Sequence, residues 1–344
     1  MSQMFVDISI FLLTFLTLCG VALSLFDPLS LSLIAGGASL VYNRGKVWEY
    51  TYCQLNECCI DSHIPANITA LSQDLEENVF GQHIVQRQLV AALKSHYTHL
   101  DSSTKPLVLS FHGTPGTGKN YLADHIAKHV YKYGVSSYFV KKFMGRTDFP
   151  LESDVRHYQI TLRTTIINAV NVCPRTLFIF DEVDKIPVGV FEALTSLLDH
   201  HHSVEGATLR FATFIFLSNA GGTEISAKLL ELTENGALRE ETQLFNFEKI
   251  LEGAAYNVNG GLRKTSMIEG SLIDHYVPFL PLEKRHIEKC IIAEFKRLGV
   301  DRPAFTDIEE ISNNYVTYYK NIFSTSGCKR LSKKVAMYVA DKYK

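Results

Sequence analysis

Gly113-Thr114-Pro115-Gly116-Thr117-Gly118-Lys119-Asn120 follows an apolar run, Leu107-Val108-Leu109-Ser110-Phe111-His112, and precedes an amphipathic stretch from Tyr121 to Tyr133. A buried strand, a glycine-rich turn and a helix start form the setting in which G-x-x-x-x-G-K reads as a phosphate cradle. Glycines let successive backbone N–H groups turn inward at a helix N-terminus, where the partial positive charge favours an anion. Gly113 to Asn120, with Tyr121 at the helix start, are therefore the candidate nucleotide-binding residues, and Lys119 is expected to reach the β- and γ-phosphates. Asn120 stands where Ser or Thr is commoner, and its amide oxygen can ligate Mg²⁺ or hold one of its waters. The competing reading is a chance glycine-rich loop, which the flanking strand and helix weigh against.

With 344 residues the chain has room for one large domain and a smaller one. A net charge of −2 and a pI near 6.7 give no basic field, so nucleic acid is not an expected partner. Hydrophobic residues make up 46% of the chain, a globular average, but they are unevenly spread and denser in the first 45 positions.

Ile8 to Phe26 carries no charge, and Ala22-x-Ser24 supplies small residues in a cleavage-site pattern. Asp7 and the lack of Lys or Arg ahead of it make a weak n-region, so a retained signal anchor stands beside a cleaved signal, residues 1–24. A second uncharged segment, Leu29 to Tyr42, ends at Arg44 and Lys46. At about 14 residues it is too short to span a ~30 Å hydrocarbon core as a helix, and an interfacial or re-entrant segment in one leaflet suits it better. Residues 25–63 are expected to be membrane-associated sequence and linker.

A translocated chain meets an oxidising compartment. Beyond Cys19, the cysteines Cys53, Cys58, Cys59, Cys173, Cys290 and Cys328 are too sparse for a disulfide scaffold, and their spacing is not that of a zinc site. Asn67-Ile68-Thr69 is a glycosylation sequon, in keeping with a lumenal surface at Asn67.

Ile64 to Glu77 begins as a polar loop with a capping signal at Ser72, and Ile84 to His96 is apolar-periodic and helical. Ser137 to Phe143 reads as a second strand and Tyr158 to Val172 as a helix. Leu177-Phe178-Ile179-Phe180-Asp181-Glu182 reads as a buried parallel strand whose acidic end lies at the ligand edge of its sheet. There Asp181 can hold Mg²⁺ and Glu182 can accept a proton from an attacking water. Phe211 to Asn219 repeats the form with a neutral end, so Asn219 can orient that water or touch the γ-phosphate; the alternative, a strand-to-loop turn beside Gly221-Gly222, is set behind it because the two earlier landmarks end strands of the same sheet. A further short strand is expected at Leu244 to Phe247 and a hinge at Leu272 to Leu282, where Pro278 and Pro281 block a helix. The large domain is thus expected over 64–275 and a small helical domain over 276–344. In the latter, Ile287, Ile291, Phe295 and Leu298 form one stripe, and helices are expected at Ile308 to Phe323 and Lys329 to Tyr343.

Together these pieces resemble AAA+ ATPases, and more closely the torsins, a lumenal AAA+ group related to Clp/Hsp100 chaperones. The likeness rests on Gly113 to Asn120, with the torsin-like Asn120, on Ile179 to Glu182, and on Phe216-Leu217-Ser218-Asn219-Ala220-Gly221. It rests further on Tyr276 to Leu282, on Gly327-Cys328-Lys329, and on Cys53 with Cys58-Cys59 ahead of Asn78-Val79-Phe80-Gly81-Gln82. The resemblance implies an α/β fold, a parallel five-stranded P-loop sheet flanked by helices, with a small C-terminal α-helical domain. It implies ATP and Mg²⁺ as ligands, Lys119 as the Walker A lysine, Asp181 and Glu182 as the Walker B pair, Asn219 as sensor 1 and Lys329 as sensor 2. It implies a redox pair of Cys328 with Cys290, for which two buried free cysteines are the alternative, and Cys53 with Cys173 as a second candidate disulfide. It also implies an ATPase of the ER lumen and nuclear envelope that is membrane-associated, homo-oligomeric and driven by a membrane-anchored activator with an AAA+-like lumenal domain.

A self-sufficient AAA+ ring needs an arginine presented across the subunit boundary. Torsins are understood to borrow it, and Arg239 is the one candidate here, with a surface salt bridge to its acidic neighbours as the plainer reading. Phe143-Met144-Gly145 is a thin match to a substrate-threading loop. Two rival functions remain: a nucleotide-switched structural protein that turns over little ATP, and a nucleotide kinase, which Asn120 and the lack of an Arg-rich lid disfavour.

Overall fold

The computed structural model describes residues 52–200, 203–257 and 260–343. The signal or anchor read at 1–24 and the segment Leu29 to Tyr42 lie outside the described residues. Among the described residues no helix is long and apolar enough to cross a membrane. Two compact units divide at Cys58 and Cys59. The described part of the first is closed by a Cys53–Cys58 disulfide.

The second unit opens with helix α1, Ile68–Asn78, and helix α2, His83–Thr98. Asn67, not Ser72, caps α1: its Oδ1 accepts from the Ala70 amide at 3.0 Å, satisfying one of the helix's orphan donors. Strand β1, Leu107–His112, leads through the glycine-rich loop into α3, Lys119–Val130. Then come β2 (Val140–Met144), α4 (Val155–Val172), β3 (Leu177–Asp181), α5 (Glu192–Leu198) and β4 (Thr213–Ser218). Helices α6, Gly222–Glu234, and α7, Glu248–Asn257, precede β5, His275–Pro278.

The sheet is parallel throughout, in the order β2-β3-β4-β1-β5. Its central strands are apolar at successive positions because both faces are covered, as in other parallel sheets. Leu107, Leu109, Phe111, Ile179, Ile215 and Leu217 face a layer built from α1, α2 and α3. The intervening Val108, Phe178, Phe180, Phe214 and Phe216 face α4 and α5. Phe178 stacks on Phe214 at 4.7 Å and Phe180 on Phe216 at 5.0 Å, a ladder in which each ring contributes about 2–3 kcal/mol by burial. This ladder fixes the register, and so brings the carboxyl ends of β1, β3 and β4 level at one edge.

Several expectations change. Leu244 to Phe247 is no strand: Leu244–Asn246 is a single 3₁₀ turn, stabilised where Asn246 Oδ1 accepts from the Gln243 amide at 2.8 Å. The fifth strand lies in the stretch read as a hinge, at the sheet edge and only four residues long, where Pro278 is tolerated as its last residue. Phe143 stands on β2 with its ring on Phe180 at 4.9 Å, so it is part of the packed sheet rather than a threading loop.

The C-terminal part comprises α8 (Lys284–Arg297), α9 (Phe305–Tyr315), a small antiparallel pair β6 (Tyr318–Tyr319) and β7 (Phe323–Ser324), and α10 (Leu331–Lys342). The helix expected to run to Phe323 therefore stops at Tyr315, and a hairpin follows. Ile287, Ile291, Phe295, Ile311, Leu331 and Val335 form a separate apolar cluster.

The cysteine pairing also departs from expectation. Cys173 bonds Cys59, not Cys53, whose partner is Cys58. With Cys58 and Cys59 adjacent, spacing could not choose between them. The Cys59–Cys173 bridge closes a sequence separation of 114 residues, for which the chain-entropy account gives about 4–5 kcal/mol. Cys290 and Cys328 are joined.

Candidate nucleotide-binding site

The loop between β1 and α3 turns at Gly116 (φ +83°) and Gly118 (φ +106°), conformations that favour glycine, and delivers the first turn of α3 with its amides free of intrahelical partners. Lys119, at the first helical position, is buried, and its Nζ donates to Gly113 O at 2.6 Å, Thr114 O at 3.1 Å and Asn219 Oδ1 at 3.0 Å. Burial pulls its pKa down to about 8, against the attraction of Asp184 and Asp181. It forms no ion pair with a carboxylate among the described residues. A buried ammonium held by neutral oxygens fits an anionic ligand, because a bound phosphate would supply the missing counter-charge.

Asp181 ends β3 and is buried; one of its oxygens accepts from Asn120 Nδ2 and the other from the Glu182 amide at 2.8 Å. Asn120 and Asp181 are thus adjacent, and with the amide turned so that its Oδ1 faces the carboxylate the pair would offer the oxygens that Mg²⁺ takes. Glu182 lies in the left-handed region (φ +53°), uncommon for a residue with a side chain and frequent at functional sites. Its carboxylate lies 3.5 Å from Arg146 Nε. Asn219, just past β4, is oriented from the far side by Asp184, whose Oδ1 accepts its backbone N–H at 3.2 Å.

Pro115 to Tyr121, Arg146, Asp181, Glu182 and Asn219 line one cleft of about 700 Å³, within the range of small-ligand sites, together with Asn78 to Phe80, Cys290, Cys328 and Lys329; Gly113, Thr114 and Asp184 stand behind that lining. The C-terminal segment reaches the loop by direct backbone contact. The Cys328 amide donates to Gly116 O at 3.1 Å, and a Cβ on Gly327 would come within 2.0 Å of that same oxygen. Only two glycines can meet this closely, which places the Cys290–Cys328 disulfide and the exposed Lys329 at the cleft wall. Gln82 pins the other side: buried, it donates to Thr117 O and Leu280 O and accepts from the Leu280 amide. Asn67 lies elsewhere, exposed at the start of α1 with its Nδ2 not needed for the cap.

Arg239 is not where a trans-acting arginine must be. It is buried, donating to Pro281 O at 2.9 Å and Gly81 O at 2.7 Å, and pairs with Glu283 at 3.0 Å. Neither the arginine finger nor the surface salt bridge describes it. It is an internal clamp joining the start of α2 to the chain that leads into α8. Asp184, Arg146 and Gln82 were not singled out as site residues from sequence; only Gln82 lay in a quoted motif.

A parallel sheet in this order, with the glycine-rich loop after β1 and a C-terminal helical part against it, defines a P-loop fold of the AAA+ type. The family profile described as Torsin matches residues 53–180. A torsin-like protein of Drosophila melanogaster is 46% identical over 330 residues, covering 94% of this chain and 96% of its own. Another, of Caenorhabditis elegans, is 37% identical over 336 residues, 96% and 94% of the two chains. The chain belongs to the torsin family. Among solved structures, S. cerevisiae Hsp104 in its ADP complex is similar with a TM-score of 0.57 at 17% identity, covering 81% of this chain and 48% of that one. Hsp104 in a closed state with ATPγS and FITC-casein gives 0.56 at 15% identity, with the same coverage. These two bear on the fold alone, and the chain spans about half of their length. Family membership replaces the nucleotide kinase reading.

Proposed function

We propose that this torsin is an ATPase of the ER lumen and nuclear envelope, switched on by a membrane-anchored activator and acting on protein or membrane-associated complexes. The observation that carries the reading is Lys119: a buried ammonium without a carboxylate partner among the described residues, at the start of a helix whose first residues line one cleft. Membership of the torsin family, with the glycine-rich loop between β1 and α3, supports a nucleoside triphosphate as the ligand. Lys119 and the amides of Gly116 to Asn120 would hold the β- and γ-phosphates. Asn120 and Asp181 would hold Mg²⁺, which when bound supplies charge neutralisation on the phosphate oxygens. Glu182 would take the proton of the attacking water, Asn219 would orient that water, and Lys329 would meet the γ-phosphate from the C-terminal part. Three disulfides and an exposed sequon favour an oxidising lumen.

Arg239's burial supports dependence on an arginine from outside the chain, and equally favours the second reading, a nucleotide-switched structural protein with little turnover. Phosphate release from ATP–Mg²⁺ separates them. The ATPase reading expects slow release by the chain alone and at least about 10³-fold stimulation by an activator's AAA+-like lumenal domain. Equal rates with and without that domain would contradict it.

A further inference from the structure

Helix α1 lies against α3 through Leu71, Leu75, Leu122 and Ile126, and its start is fastened by the Asn67 amide donating to His129 O at 3.0 Å. On this rigid pair, Asp74 of α1 projects over His125 and His129, which occupy i and i+4 positions on one face of α3. Asp74 Oδ2 accepts from His125 Nδ1 at 2.7 Å and from His129 Nε2 at 2.6 Å. Lys128 Nζ donates to the same oxygen at 2.9 Å. All three ligand-type atoms lie within 4.8 Å of one another. The carboxylate is itself oriented, because Asn78 Nδ2 donates to Asp74 Oδ1 at 2.7 Å. The Tyr121 ring packs on His125 at 4.2 Å.

We propose that Asp74, His125 and His129 form a binding site for a transition-metal dication, zinc foremost, that staples α1 to the helix carrying the phosphate loop. Two imidazoles and one carboxylate are the donor set of zinc and its neighbours rather than of Mg²⁺ or Ca²⁺, which take oxygen ligands. Three protein ligands leave a fourth position for water, as in open zinc sites. Tetrahedral bonds of about 2.0–2.1 Å put ligand atoms about 3.3 Å apart. The nitrogen–oxygen distances here, 2.7 and 2.6 Å, must therefore open by about 0.6–0.7 Å, within reach of side-chain rotation. Lys128 is 60% exposed and can turn its ammonium to solvent as the metal enters. The outer contacts are those a metal site uses, a donor on the carboxylate and packing on an imidazole. Because Asn78 and Tyr121 also line the cleft, a metal here would hold two residues of the nucleotide wall. The proposal concerns metal binding alone, and its test needs no nucleotide.

The test is titration of the full, oxidised chain with Zn²⁺ against a chromophoric chelator, and with Co²⁺ read by its visible absorption. The site predicts one equivalent bound with a dissociation constant of about 10 µM or tighter, and the intense bands of four-coordinate cobalt. His129→Gln and Asp74→Asn should each weaken binding at least about tenfold, while His157→Gln, at an exposed histidine elsewhere, should leave it unchanged. The cobalt spectrum needs no variant and stands if Asp74→Asn does not fold. Six-coordinate cobalt bands, no binding tighter than about 100 µM, or affinity that His129→Gln leaves within twofold would overturn the proposal. The cluster would then be a hydrogen-bonded tie between two helices.

Discussion

Glu182→Gln is expected to lower activator-stimulated ATP hydrolysis by about 10²–10⁴-fold while leaving ATP affinity within a few-fold. The amide keeps the size of the carboxylate but cannot accept the proton of the attacking water. The backbone at Glu182 and the bond from its amide to Asp181 do not involve the side chain, so the Asp181 carboxylate should hold its place. The charge lost is only part-buried and faces Arg146, whose guanidinium is 68% exposed and finds water instead. Phosphate release with activator domain and calorimetry with ATP–Mg²⁺ make the two measurements. Turnover at the parent rate would remove Glu182 from the reaction.

Replacing Arg239 by Ala should destabilise the fold by about 3 kcal/mol. Removing one member of a buried pair costs about 3–5 kcal/mol, because the partner stays behind uncompensated. The lower end applies here, since Glu283 is 22% exposed and also pairs with Arg285 at 2.8 Å. Gly81 O and Pro281 O would also lose their guanidinium donor. Denaturant unfolding of the oxidised chain measures this. If stability holds within about 0.5 kcal/mol and only assembly-dependent hydrolysis falls, Arg239 acts outward and the internal clamp is wrong.

The sheet was legible where its strands are buried on both faces, because such strands are continuous apolar runs and their ends name themselves by a change to Asp181 or Asn219. It was not legible at β5: four residues ending in Pro278 look like a hinge, and only pairing with β1 makes them a strand. Arg239 misled for a related reason. Its neighbours Glu240 and Glu241 read as a surface, whereas its partner Glu283 stands 44 positions away. The candidate site residues at the ends of β1, β3 and β4 are local to their strands, so their positions at one sheet edge were legible in the sequence. Asp184 and Gln82 act across the fold, and the Asp74–His125–His129 cluster exists only once α1 lies on α3. Cysteine pairing is non-local in the same way, so spacing could not set Cys59 apart from Cys53 as the partner of Cys173.

The central claim is that the loop amides and the Lys119 ammonium cage a triphosphate, and its most direct test is the affinity of the oxidised full chain for ATP–Mg²⁺ beside that of Lys119→Ala. The account predicts measurable affinity in the parent and a loss of at least about 100-fold in the variant, the worth of a charge-assisted, desolvated contact. Binding that survives Lys119→Ala within a few-fold, or a parent chain with no affinity for ATP–Mg²⁺, would contradict it.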